Sequence, residues 1–380
     1  MYVLLSSGST KRYRDDILRC LATPFGVEVQ FRYNANIVDE SIKDGLSSIR
    51  KCVGIVCNVD INEKIEPRGT HRLIPVRRVV IERVWRSGST ITISMTMREF
   101  AHASDERQFT SQVASQCAHL PADAPADGES GGWWFFKITS QPNALTFKAE
   151  LGTFEGITQQ LATVTQFQEE PFFWTVLQVR KGSADRIEES DRISAWPKKI
   201  HFDRWYTLLI YVFRPLTSPD HGIGQLLLRS EPPFASLHGP EIIIDSPYDL
   251  KRWPFKIRQP HLGFRESGWL RIGQEAIRKG REANDRQADL SDDEINRELR
   301  GKLTGTTDWE INLPMRFYSS WFRILVVNIV LGALLAAPSI IAIWRQAGVP
   351  NNERLLSSLV ALVFGVAAAL VATFQVKRVA

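Results

Sequence analysis

The stretch ILVVNIVLGALLAAPSIIAIW, residues 324–344, decides the first question this chain raises. Its only polar members are Asn328 and Ser339. A second run, LLSSLVALVFGVAAALVATFQV at residues 355–376, contains Ser357, Ser358, Thr373 and Gln375. About 20 apolar residues in a helix cross a hydrocarbon core of about 30 Å. A helix on the surface of a water-soluble domain is apolar along one stripe, not all round. The pattern therefore predicts a two-helix transmembrane hairpin over residues 316–380, with spans near 324–344 and 355–376.

The flanks agree. Phe317, Tyr318, Trp321 and Phe322 precede the first run and Trp344 ends it, as in an interfacial aromatic belt. Arg316 and Arg323 stand before the first span, and Lys377 and Arg378 follow the second. The loop between the spans carries Arg345, Arg354 and one Glu, a weak opposing signal. Both termini are expected on the cytoplasmic side of a bacterial inner membrane. Small residues (Gly332, Ala336 and Ala337; Gly365, Ala368, Ala369 and Ala372) permit close helix approach in lipid. Pro338 removes one backbone bond and predicts a kink. Two helices cannot enclose a pore, but several chains can. Asn328 reads either as an interhelical hydrogen bond or, with Ser339, as pore lining in an oligomer.

In front of the hairpin lie more than 300 residues. The whole chain is 44% apolar and 23% charged, the balance of a globular protein. The net charge of +5 permits anionic partners without demanding them. Cys20, Cys52, Cys57 and Cys117 have no C-x-x-C spacing, so neither a zinc site nor a disulfide framework is expected, and reduced thiols suit the cytosol. The N-terminus has no basic region and too short an apolar run for a signal peptide.

The soluble part reads as α+β and strand-rich. Strands are predicted at Tyr2 to Leu5, Gly26 to Tyr33 and Cys52 to Val59, with helices at Lys11 to Leu21, Val38 to Ile49 and Gln108 to His119. A hairpin joins Leu73 to Trp85 and Thr90 to Met97 through a turn at residues 86–89. Pro121 to Gly132 is a loop and a subdomain boundary, giving a mixed subdomain at 1–120 and a strand-rich one at 121–315. In the latter, short strands recur around Trp133, Phe172, Trp205, Gln225, Glu241, Trp253 and Trp269, as in a β-sandwich or barrel. Asn284 to Arg300 reads as a charged juxtamembrane helix, and Thr304 to Asn312 as a lead into the first span.

Motifs for catalysis are lacking: there is no nucleophile elbow, no Walker loop and no H-E-x-x-H, and the histidines do not cluster. The chain is not read as an enzyme, and no cofactor or metal is expected. Three segments suit an anionic ligand. Ser7, Ser9, Thr10, Lys11 and Arg12 lie between a strand and a helix start, where free N–H groups and hydroxyls hold phosphate, or where an ordinary N-cap would stand. Lys198 and Lys199 open the aromatic segment that ends at Trp205. Arg252, Lys256 and Arg258 alternate with Trp253, Phe255 and Ile257. On a strand the aromatics would enter the core and the basic side chains would face solvent or a nucleic-acid backbone.

A large cytosolic domain fused to a minimal hairpin resembles bacterial antiphage-defence effectors. The Hailong-type channel gated by DNA oligomers is one candidate, and cyclic-nucleotide-gated two-span effectors are another. The resemblance is one of layout and includes no diagnostic motif. It implies a homo-oligomer, taken here as a tetramer, in the lipid bilayer, whose soluble domain senses a nucleotide or short single-stranded nucleic acid. The alternative is a tethered scaffold that recruits a protein partner without a pore.

Overall fold

The structure, a computed structural model, describes residues 1–7, 11–61, 71–121, 132–168, 170–182, 194–197, 200–215, 224–231, 234–236, 240–244, 246–257, 267–275, 307–318, 321–345 and 350–379. The chain opens with β1 (Tyr2–Ser7), α1 (Lys11–Ala22), β2 (Glu28–Asn34), the single turn α2 (Glu40–Lys43) and β3 (Cys52–Ile61). Then come β4 (His71–Ser87), β5 (Thr90–Ala103), α3 (Glu106–Ala114), β6 (Phe135–Lys137), β7 (Leu145–Lys148) and α4 (Leu151–Ala162). The seven strands form one sheet of order β2-β5-β4-β3-β1-β6, with β7 also paired to β5. β1 and β3 run parallel. Val3, Leu4 and Leu5 are all buried, because a strand covered on both faces needs an apolar run rather than alternation. In the β4–β5 hairpin Ser87 pairs with Thr90, so the turn is two residues, with Gly88 at φ +61°.

Several expectations are corrected here. The sheet passes residue 120, since β6 and β7 belong to it. The Val38 to Ile49 helix is instead a set of short turns (3₁₀ at Ala35–Ile37 and Leu46–Ile49, with α2 between). The side chains of Asn34 and Asp39 accept from Asn36 N and Ser41 N, each restarting the backbone. α4 was not foreseen.

The second part adds β8 (Phe173–Lys181), β9 (Ile200–His201), β10 (Trp205–Phe213), β11 (Gly224–Glu231), β12 (Phe234–Ser236), β13 (Glu241–Ile244), β14 (Tyr248–Ile257), β15 (Ser267–Glu275) and β16 (Thr307–Tyr318). They form a four-stranded sheet β12-β14-β10-β8 and a five-stranded sheet β13-β11-β15-β16-β9. Trp174 of the first of these sheets stacks on Trp309 of the second at 5.0 Å, and Phe202, just past β9, stacks on Phe317 of β16 at 4.8 Å. Phe154 of α4 touches Phe100 of the first sheet and Tyr211 of the second, so one core runs through the whole body. Arg19 Nε donates to Glu310 O (3.1 Å) and Trp196 Nε1 to Pro314 O (2.6 Å), fastening β16 to both parts.

β16 replaces the expected lead-in. Trp309, Ile311, Leu313, Met315 and Phe317 are buried at a period of two. Phe317 is thus a core residue, not part of an aromatic belt. Asn284 to Arg300 lies outside the described residues. Two helices end the chain, α5 (Trp321–Arg345) and α6 (Asn351–Val379), packed against each other. α5 continues through Pro338. Among the described residues no helix is long and apolar enough to cross a membrane; the described side chains of α5 begin at Ile329 and those of α6 end at Ala368.

Candidate functional site: a basic and aromatic sheet face

The alternation expected of residues 252–257 is present except at Pro254, which is buried on the face that carries Arg252 and Lys256. Trp253, Phe255 and Ile257 are buried, while Arg252 is exposed and Lys256 half-buried on the opposite face of β14. Sheet register then brings in residues distant in sequence. Lys256 lies opposite Trp205 of β10, with its Nζ 6.0 Å from the ring centroid. Arg252 lies opposite Leu209. On the other side of β10, Arg180 of β8 pairs with Thr207, which itself pairs with Pro254. Direct partners in an antiparallel pair share a face. Arg180, Trp205, Arg252 and Lys256 therefore decorate one side of three adjacent strands. Arg180 Nε donates to Gln178 Oε1 at 2.9 Å, and Ser194 Oγ to the same oxygen at 3.2 Å, which orients the guanidinium.

Thr207, Leu209 and Pro254 are buried between these cations, so the accessible part of the face is its rim, where Arg252 is exposed and Lys256 and Trp205 are half-buried. Strands lie about 4.8 Å apart and same-face residues about 7 Å apart along a strand. Cations on that grid can follow a phosphate backbone, and the Trp205 ring offers a stacking platform at one edge. Lys251, on the other face, forms a 2.6 Å ion pair with Asp249. Of the expected residues, Arg252 and Lys256 are brought together, while Lys198, Lys199 and Arg258 lie outside the described residues. Arg180 and Trp205 were missed as ligand residues. The Gln178–Arg180 alternation hinted at the first, but only the register reveals either.

The first segment is elsewhere, at the carboxyl ends of parallel β1 and β3. Ser7 ends β1, and Arg12 is exposed in the first turn of α1. Ser9 and Thr10, and the side chains of Ser7 and Lys11, lie outside the described residues. Ser6 Oγ donates to Tyr13 O (2.9 Å). Its register partner Asn58 is fully buried with neither side-chain atom hydrogen-bonded.

No group of His, Cys, Asp or Glu among the described residues could hold a metal ion. Cys20, Cys57 and Cys117 are buried free thiols. Burial pushes Cys20 and Cys57 far up and Cys117 up to about 11, so these thiols stay protonated and unreactive near neutrality.

The helical hairpin has its own geometry. A Cβ on Gly332 would come within 2.5 Å of Val366 Cα, and one on Gly365 within 2.3 Å of Gly332 O. Ala336 is buried in the same seam, so part of the small-residue pattern serves contact within one chain. Trp344 Nε1 donates to Ser358 Oγ (3.1 Å). The outward faces are apolar: Leu334, Leu356 and Phe364 are each more than 60% exposed. Ser339 also points outward. The side chain of Asn328 lies outside the described residues.

No protein-family model matches the chain, and no curated protein is detectably similar to it.

Proposed function

We propose that this chain is a self-associating inner-membrane effector whose strand-rich body binds an anionic nucleotide or oligonucleotide. The single observation that carries it is the apolar outer surface of the α5–α6 hairpin. Leu331, Leu334, Leu335, Leu355, Leu359 and Phe364 are exposed on a helix pair already packed through Gly332 and Gly365. A continuous patch of this kind needs lipid or other copies to cover it. α5 has 25 residues, about 37 Å of helix, and residues 324–344 carry no charge. The Arg180, Trp205, Arg252 and Lys256 face supports the ligand half of the reading. Assembly of several hairpins would form a pore with Asn328 and Ser339 as candidate lining, and ligand would act by preferring one of two states. The resemblance to defence effectors suggests antiphage defence as the setting.

Three measurements test this. The protein is expected to resist alkaline carbonate extraction, to crosslink as an oligomer in mild detergent, and to pass ions in liposomes in a manner altered by short DNA oligomers. Release by carbonate, or a monomer without flux, would overturn it. Arg252→Glu with Lys256→Glu should weaken oligomer binding at least tenfold, on the order of 1.4 kcal/mol, and flatten its salt dependence.

A further inference from the structure

A cleft of about 350 Å³ opens at the amino-terminal ends of β1 and β3, at the opposite end of these strands from the Ser7 loop. Its walls include Tyr2, Cys52, Arg78, Lys137, Gln141 and Phe147. Register explains how they meet: Lys137 of β6 lies opposite Tyr2 of β1, and Arg78 of β4 opposite Ile55 of β3. Phe147 comes from β7, on the far side of β5. The Arg78 guanidinium sits 5.1 Å from the Phe147 ring centroid, held on an aromatic plane. Its Nε is buried without a hydrogen-bond partner among the described residues. Its Nη1 lies 3.6 Å from Glu99, a residue outside the lining. Among the described residues no acidic side chain lines the cleft.

We infer that this cleft binds a small phosphorylated molecule with a planar aromatic part, of nucleoside monophosphate size. The volume falls at the lower end of small-molecule sites, too small for an oligonucleotide. Arg78 lines the cleft with a guanidinium whose planar fork matches two phosphate oxygens, although Glu99 shares it at 3.6 Å, and Lys137 supplies a second, mobile charge. Phe147 and Tyr2 give the apolar walls that a base would contact, and the Gln141 amide can donate to or accept from its edge. With two cationic and no acidic side chains in the walls among the described residues, a cationic ligand is disfavoured. This site is separate from the sheet face bearing Arg252 and Lys256, so the two stand or fall independently.

Calorimetric titration of the full-length protein in detergent tests it, with adenosine 5′-monophosphate, adenosine and inorganic phosphate as probes. The monophosphate is expected to bind at least about tenfold more tightly than either of the others. Lys137→Gln changes an exposed side chain at a strand end and should weaken that binding by about tenfold, and Arg78→Gln by more. Arg78→Lys should recover only part, because the fork is lost. Arg252→Glu with Lys256→Glu should leave it unchanged. Equal binding of adenosine, no monophosphate binding below tens of millimolar, or binding indifferent to Lys137→Gln would each overturn the proposal.

Discussion

Arg77 lies fully buried, with its guanidinium 4.1 Å over the Phe100 ring and its Nη2 donating to Thr23 O (3.0 Å) just past the end of α1. The cation thus serves a helix carboxyl end, where positive charge is favoured, but Nε and Nη1 have no acceptor. Burial pulls its pKa down to about 9, which leaves it charged at neutral pH and poorly compensated. Arg77→Met keeps the stem and the ring contact, and is expected to be neutral or to stabilise by up to about 2 kcal/mol in denaturant unfolding. Arg77→Ala, which leaves a cavity, should cost about 3 kcal/mol. A comparable loss in both variants would mean that the charge itself is needed. Asp16 gives a pH signature. Burial raises its carboxyl to about 6, and Arg19, at 3.2 Å, only partly opposes this. The folded state then binds a proton more tightly than the unfolded state. Its contribution is present below pH 4 and is lost as pH rises through about 6, up to about 3 kcal/mol in all. Asp16→Asn should flatten that slope. An unchanged slope between pH 4 and 7 would reject the assignment.

At the scale of elements, the Gly332–Gly365 seam makes the sharpest demand on sequence. Bulk at either position meets backbone, not a movable side-chain end. Gly332→Leu or Gly365→Leu should separate α5 from α6, seen as loss of a crosslink by a short bifunctional thiol reagent between cysteines introduced at Trp344 and Ser358, whose side chains meet across the two helices. Retention of that crosslink in Gly332→Leu would disprove the close packing. The same scale shows what could be read beforehand. β10 and β13 were legible because an apolar run in the first, an alternation in the second and bounding Pro or Asp were all local. α4 was hidden because Gly152, Thr153, Gly156 and Thr158 are poor helix formers; Phe154, Ile157 and Leu161 hold it by burial against the first sheet. β16 carried its alternation openly, but its closeness to the apolar run drew it into the hairpin reading. At the candidate site, Arg252 and Lys256 were visible because a strand's own period reveals its faces. Arg180 and Trp205 join them through pairing between residues 27 to 51 positions apart, and no local pattern encodes that.

For the whole molecule, the proposed channel and the alternative scaffold differ in what they ask of the hairpin. Replacing residues 321–379 with an unrelated two-span anchor should abolish ligand-dependent ion flux and leave binding at the Arg252 and Lys256 face intact. A scaffold would keep its full activity after the exchange. The exchange has a built-in geometric constraint. The last residues of β16, Phe317 and Tyr318, are paired with β9, and α5 begins at Trp321. Three peptide links reach at most about 11 Å. The body is therefore on a very short leash. Where hairpins gather in a bilayer, their bodies cannot drift apart, and each is presented to its neighbours at a local concentration far above that in solution. Contacts between bodies too weak to form dimers in water would then suffice to set the register of the assembly. Lengthening the leash with a flexible insert after Tyr318 should dissolve that register while leaving each body folded.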